Sequence, residues 1–118
     1  MRERLIAIPP PGHALAGRAE VTLAELLTYP LICLPPGTGI RTVLDRAAGD
    51  APPQPMQATA PGAILDLAAR GLGVGVLSES MADGVIITGV PEAVVLALVW
   101  RSPETAAVRA FRTIFTNL

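Results

Sequence analysis

Short apolar runs alternate with helix-start signals along most of this chain, and that alternation constrains the fold more than any other feature. The runs are three to seven residues long, close to the usual length of buried strands. The segments between them begin with Thr, Ser or Pro, residues that favour helix N-termini. Strands that alternate with helices in this way form α/β sheets with right-handed crossovers. We therefore predict an α/β fold with a mixed, mostly parallel sheet flanked by helices.

The predicted strands are short and rich in Val, Ile and Leu: Leu5–Ile8, Leu31–Leu34, Met56–Ala58, Val74–Leu77, Val85–Thr88 and Val94–Trp100. The predicted helices follow Thr22, span 39–48, begin near Pro61, and span Pro103–Leu118. At Thr22 we expect a capping box, in which the hydroxyl accepts from the Glu25 amide and the Glu25 carboxylate reaches back to the Thr22 amide.

The turn Pro35–Thr38 is the best-placed candidate for binding a ligand. It follows a strand and leads into the helix that begins at Gly39, so free amides and the positive end of the helix dipole can attract an anion. Thr38 offers a hydroxyl, and Arg41 offers a guanidinium suited to bidentate binding of carboxylate or phosphate. An ordinary threonine cap with a solvated Arg41 explains the same residues equally well. The Gly-Lys-Ser/Thr of a P-loop is missing, so ATP hydrolysis is not supported.

Thr59–Gly62 and Ser78 lie at two further points where a predicted strand leads into a helical segment. Ligands of open α/β sheets bind beyond the carboxyl ends of the strands. Three such turns can line one face of a cleft, although any one of them alone is equally well explained as a helix cap. Their shared position favours the cleft.

The glycines of Gly71–Gly75 do not form a nucleotide-binding loop. A dinucleotide fingerprint follows a strand and opens a helix, so that phosphate meets the helix N-terminus. Here a predicted helix ends at Gly71 and a strand follows. We expect these glycines to end the helix and to allow close packing of the strand.

Few residues suit catalysis. His13 is the only histidine and lies in a Pro-Gly-His segment, which favours a surface loop. Cys33 is the only cysteine, so an intramolecular disulfide is impossible and a zinc site lacks ligands; its apolar run predicts a buried, reduced thiol. No partner close in sequence is evident for the acids Asp45, Asp66 and Asp83. We therefore expect no enzyme, no cofactor and no metal.

The charge of the chain argues against direct nucleic-acid binding. Its formal net charge is −1, and its nine basic residues, all Arg, are dispersed, whereas DNA-binding surfaces cluster positive charge. No apolar run approaches the roughly 18 residues of a membrane span, and the apolar stretch near Met1 is too short for a signal peptide. We expect a cytoplasmic protein without membrane contact.

The order of these segments resembles the effector-binding region of LysR-type transcriptional regulators, a type 2 periplasmic-binding-protein fold. No single motif is specific, and the ordered set carries the resemblance: Leu5–Ala16, Val21–Leu27, Gly37–Arg41, Leu65–Leu77 and Val94–Leu118. Two positions depart from the family pattern. Ser78 stands where proline is usual, and Ala14 follows His13 where His-Pro is usual.

The resemblance implies a sensor with two α/β lobes and an effector between them. On that plan residues 1–118 are one partial domain: 12–91 form the second lobe, Leu5–Ile8 and Val94–Trp100 are connecting strands, and 103–118 return to the first lobe. The rest of that lobe and a DNA-binding winged helix-turn-helix would precede Met1. By analogy, the effector contacts are Thr38, Gly39, Arg41, Thr59, Pro61, Gly62 and Ser78.

The function that the resemblance implies is sensing of a small, anionic metabolite without catalysis. Apolar surface left by a missing lobe favours self-association into a homodimer or larger assembly. Two alternatives remain: a transport module of the same fold, which needs an export signal or anchor, and a two-lobed enzyme, which needs an acid–base pair. Neither feature is visible in the sequence.

Overall fold

The computed structural model describes residues 3–49 and 54–90, and strands and helices alternate there as predicted except for one additional strand, Glu20–Thr22. The strands are β1 Leu5–Ile8, β2 Glu20–Thr22, β3 Leu31–Cys33, β4 Met56–Gln57, β5 Val74–Ser78 and β6 Val85–Thr88. The helices are α1 Leu23–Leu26, α2 Gly39–Ala48 and α3 Pro61–Ala69. The predicted strand Val94–Trp100 and helix Pro103–Leu118 lie outside the described residues. Within the described ranges, no helix has the length and apolar character needed to cross a membrane.

The six described strands form one sheet in the order β2-β6-β1-β5-β3-β4. β3 pairs in parallel with both β4 and β5, and β2 pairs in parallel with β6. β1 is antiparallel to its neighbours β5 and β6. Five strands therefore run in one direction and β1 in the other, which confirms the predicted mixed, mostly parallel sheet.

Helices α2 and α3 cover opposite faces of this sheet. The connection through α2 moves from β3 out to β4, and the connection through α3 moves back past β3 to β5, so right-handed crossovers place the two helices on opposite sides. Side-chain packing agrees. Gly75, the register partner of Ile32, packs against Ile64 of α3. Cys33, the next residue of β3, is close enough to Arg41 of α2 for the charge of Arg41 to affect the Cys33 thiol.

The core between these layers is aliphatic, as the 3% aromatic content requires. The largest fully buried side chains come from the strands, from the three helices and from the loop after β1: Leu5, Ile6, Leu15, Leu26, Ile32, Leu44, Ile64, Leu77, Val21, Val43, Val74 and Val76.

The glycine segment after α3 lies where it was predicted. Gly71 has a φ of +83°, a conformation that suits glycine and stops the helix. Gly71 and Gly73 lie between α3 and β5, and Gly75 lies within β5.

The N-terminus of α1 differs in part from its prediction. The Thr22 hydroxyl accepts from the Glu25 amide at 3.1 Å, as expected. The Glu25 carboxylate does not reach back to Thr22, and instead receives two bonds from the Arg18 guanidinium at 2.7 and 3.1 Å. A charged guanidinium is a stronger partner for a carboxylate than a neutral amide, so this half of the capping box is wrong. The hydrogen bonds between the two groups lower the pKa of Glu25 and raise the pKa of Arg18.

Replacing Gly75 with alanine tests the packing of β5 against α3. A Cβ atom at Gly75 would lie 2.7 Å from Cγ2 of Ile64 and 3.3 Å from Cβ of Ile8, so neighbouring side chains must move. Overpacking of this kind costs about 1–3 kcal/mol. We expect Gly75→Ala to lower the free energy of unfolding by that amount, measured by urea denaturation followed by circular dichroism.

Gly62→Ala is the matched control, because a Cβ atom there meets nothing within 4 Å. The second residue of α3 adopts a helical conformation that alanine shares, so this change should leave stability unaltered or raise it by up to about 1 kcal/mol. Equal losses for the two variants would contradict the packing argument.

Candidate functional site

The three turns singled out in the sequence lie at one edge of the sheet. Strands β4, β3 and β5 are neighbours and run in the same direction, so their carboxyl ends share that edge. Extending the register three residues beyond the pairs of Ile32 brings Thr59 and Ser78 level with Pro35. Neighbouring strands are about 4.8 Å apart, so the three strand ends span about 10 Å.

The space between the ends of β3 and β5 is a topological switch point. The chain leaves β3 towards β4 and leaves β5 towards β6, in opposite directions across the sheet. The start of α2 follows β3, and the turn into β6 follows β5, so the two segments diverge at this point of the edge. Open α/β sheets bind their ligands at such a switch point.

Thr38 caps α2, and its hydroxyl is already bonded twice. The Thr38 Oγ1 atom donates to the Pro35 carbonyl at 2.9 Å and accepts from the Arg41 amide at 3.3 Å. A hydroxyl has one proton, so Thr38 can accept a further bond but cannot donate one to a ligand. The predicted cap is therefore confirmed, and the side chain mainly stabilises the turn.

Arg41 faces into the protein. Its side chain is 8% exposed, so the alternative of a solvated Arg41 is wrong. Nε donates to both carboxylate oxygens of Asp45, at 3.1 and 3.2 Å, and Nη1 donates to the Leu34 carbonyl at 3.3 Å. Asp45 therefore does have a partner close in sequence, one helical turn away, and so does Asp66, which pairs with Arg70 at 3.0 Å.

The second turn leaves the N-terminus of α3 open. The N-cap is Ala60, which has no side-chain acceptor, and Pro61 occupies the first helical position. Thr59 and Gly62 are exposed. Within the described part of the chain, the Gly62 amide has no hydrogen-bond acceptor, as expected for a first-turn amide without a cap.

Ser78 is the last residue of β5, one residue beyond the predicted end of that strand. It is 2% exposed, and its Oγ lies 3.5 Å from the Oγ of Ser80. The hydroxyl is thus buried at the carboxyl end of β5, beside the carboxyl end of β3. It has a weak partner on the protein, which leaves capacity for a stronger hydrogen bond.

The turn after β5 is tied to the start of β1 by contacts that the sequence did not indicate. Glu79 accepts from the Arg4 amide at 3.0 Å and from the Arg4 guanidinium at 3.1 and 3.3 Å, and these bonds lower the pKa of Glu79. The Ser80 amide donates to the Glu3 carboxylate at 3.2 Å. The partners are 75 and 77 residues apart, so no local pattern could have revealed them.

His13 and Cys33 have structural roles. His13 follows β1, at the opposite edge of the sheet, where its Nδ1 accepts from the Leu15 amide at 3.0 Å and its ring meets Tyr29 edge-on with centroids 4.7 Å apart. Burial raises the pKa of the Cys33 thiol to about 12, so the thiolate is suppressed at neutral pH. Among the described residues, no cluster of three His, Cys, Asp or Glu could bind a metal ion.

Comparison with known proteins gives a family for this fold. Residues 1–118 match the LysR substrate binding domain. Among solved structures, the chain is similar to the Corynebacterium glutamicum OxyR C206 mutant, with 24% identity and a TM-score of 0.58 over 66% of this chain and 25% of that one. It is also similar to HinK, a LysR family transcriptional regulator from Pseudomonas aeruginosa, with 26% identity and a TM-score of 0.55 over 66% of this chain and 28% of that one.

A third similar structure is the Synechocystis PCC6803 CcmR regulatory domain in complex with 2-PG, with 24% identity and a TM-score of 0.57 over 77% of this chain and 50% of that one. The chain thus spans a quarter to a half of the length of these three structures. Among curated protein sequences, none matches. Because the family match covers the whole chain, this chain belongs to the LysR substrate-binding domain family.

Proposed function

We propose that the chain is the effector-binding part of a LysR-type transcriptional regulator and binds a small anionic metabolite at the carboxyl ends of β4, β3 and β5. One observation carries the proposal: the N-termini of α2 and α3 and the end of β5 occupy adjacent positions at one sheet edge. Each helix N-terminus offers free N–H groups and the positive end of a dipole. Two such ends together favour a negatively charged ligand.

The proposed contacts fall into two groups. Gly39 and Gly62 contribute backbone amides from the first turns of α2 and α3, and Thr59 and Ser78 contribute hydroxyls. Thr38, Arg41 and Pro61, which the family resemblance also implied, lie in the same turns and set their shape. The complex of the Synechocystis domain with 2-PG supports a small ligand for this chain as well.

In the full-length regulator, effector binding would shift the balance between two arrangements of the assembled protein on its operator. DNA contact would come from a separate winged helix-turn-helix, since the nine dispersed arginines and the net charge of −1 in this chain provide no basic surface. We place this function in the cytoplasm, where the operator is. The family match favours regulation over the transport and enzyme alternatives.

Replacing Gly39 with proline removes one proposed amide donor while keeping the helix. Proline is favoured at the first helical position, and Thr38 already has the extended conformation, φ −81° and ψ 151°, that a residue before proline prefers. A hydrogen bond to a charged group is worth about 1.5–3 kcal/mol. Affinity for an anionic effector should therefore fall by roughly 10- to 100-fold.

The measurement is isothermal titration calorimetry of the full-length regulator with 2-PG, a series of mono- and dicarboxylates, and their neutral amides. Gly39→Ala is the matched control, because it adds a Cβ atom and keeps the N–H group, and its affinity should equal that of the parent. Binding of the neutral amides as strongly as the acids, or equal affinity for all three proteins, would contradict the proposed site.

We also expect the isolated chain to self-associate. Met56 and Leu72 are 45% and 48% exposed. The segment 103–118 lies outside the described residues, and its sequence predicts a helix with both phenylalanines on one apolar stripe, a kind of surface that favours association when it is exposed. Size-exclusion chromatography with light scattering should give a dimer or larger species. Phe111→Glu should shift the mass towards the monomer and Arg109→Glu, off the stripe, should not. A monodisperse parent monomer contradicts this expectation.

A further inference from the structure

We propose that Arg41 is a positioning residue, which fixes the turn between β3 and α2 from inside the protein and does not contact the effector. The proposal rests on the proposed function for its effect on binding. Its structural part can be tested without any ligand. It also assigns to Arg41 a different role from the direct anion contact that the family resemblance implies.

The contacts of Arg41 join both ends of the turn to helix α2. Nη1 donates to the carbonyl of Leu34, where the turn begins, at 3.3 Å. The backbone amide of Arg41 donates to Oγ1 of Thr38, where the turn ends, at 3.3 Å. Nε is fixed by Asp45, one helical turn later, at 3.1 and 3.2 Å. The side chain of Arg41 thus ties the start of the turn, at Leu34, to Asp45 of α2, and its backbone amide ties the end of the turn, at Thr38, to the same helix.

The Leu34 carbonyl explains why a donor is needed there. β3 ends at Cys33, whose carbonyl accepts the Ala58 amide at 3.0 Å, so Leu34 lies one residue past the end of the strand. Leu34 is buried, and a buried carbonyl without a partner is destabilising. Arg41 supplies the hydrogen bond that the sheet no longer provides.

Turning Arg41 outward towards an effector would cost these contacts. The Leu34 carbonyl would lose its donor, and the Asp45 carboxylate, whose side chain is 33% exposed, would lose its counter-charge. The unpaired buried carbonyl is the larger loss, because the partly exposed Asp45 carboxylate can still be hydrated. The effector therefore meets the backbone amides at the start of α2, whose direction depends on the turn that Arg41 fixes.

Lysine cannot take over this role. A guanidinium presents several N–H groups in a rigid plane and can bond a carboxylate and a carbonyl at once, whereas an ammonium is a compact charge on a flexible stem. Arg41→Lys keeps the positive charge near the site and loses the simultaneous contacts. A direct electrostatic role and a positioning role therefore predict different results for this variant.

Cys33 provides a built-in reporter of the turn. It is the only cysteine of the chain, it is buried beneath α2, and it immediately precedes Leu34. With its pKa raised to about 12 by burial, the thiol reacts slowly with disulfide reagents such as DTNB unless the turn opens. Its labelling rate measures how often this segment opens.

The experiment compares Cys33 labelling in the parent, Arg41→Gln, Arg41→Lys and Arg46→Gln across a series of low urea concentrations. Arg46 is exposed on the same helix and serves as the control. We expect at least a ten-fold faster rate for both Arg41 variants, through an opening that urea hardly accelerates, and no change for Arg46→Gln. Unchanged rates, or rates that rise only with global unfolding, would overturn the proposal.

Asp45→Asn provides a second, milder variant in case Arg41→Gln does not fold. It should raise the labelling rate several-fold. The same variant also tests the proposal through the direction in which the 2-PG affinity of the full-length regulator changes. Removing a negative charge near an anion site strengthens binding if electrostatics alone decide, whereas loss of positioning weakens it. Tighter 2-PG binding by Asp45→Asn would therefore overturn the proposal, and at least three-fold weaker binding supports it.

The affinity results separate this proposal from the function on which it rests. Failure of every protein, the parent included, to bind 2-PG or any acid of the calorimetric series counts against the proposed function. The labelling rates still decide the role of Arg41 in that case. Loss of affinity in Arg41→Gln with unchanged Cys33 labelling would make Arg41 a direct contact and overturn the positioning role.

Discussion

The parallel pairing of β3 on both of its sides is the constraint on which the rest of the molecule depends. Because β4 and β5 both run alongside β3, the chain needs two crossover helices, and right-handedness places them on opposite faces. The same pairing brings the beginnings of both helices to one edge. The geometry of the proposed site is thus a consequence of strand direction, and the individual side chains refine it.

Local signals account for the parts of the fold that the sequence predicts well. Helix α2 has a threonine cap, an apolar repeat and a glycine after its last residue, and its bounds, Gly39–Ala48, agree with the prediction. The common edge of the three turns was also predicted, because each turn follows a strand and leads into a helical segment. β2 was not predicted, because three residues with one buried side chain, Val21, give no readable pattern.

The hydrogen-bond partners of Glu25 and Arg41 could not be predicted in full from the sequence, because they depend on which groups the fold brings together. Glu25 can bond Thr22 or Arg18, and only the folded chain shows that the guanidinium is within reach. The orientation of Arg41 had a local signal, the acid four residues later on the same helix. Its burial could not be read from that spacing, because it depends on the Leu34 carbonyl at the end of β3.

The central position of β1 has a mechanical consequence. β1 is hydrogen-bonded to the antiparallel strands β5 and β6 on its two sides. A force along the axis of β1 would therefore strain the hydrogen bonds of both pairings at the same time. Arg4 and Glu79 add a bridge at the loaded end. A displacement applied to the start of β1 would therefore be passed directly to Ser78, which pairs with Leu5 at the end of β5.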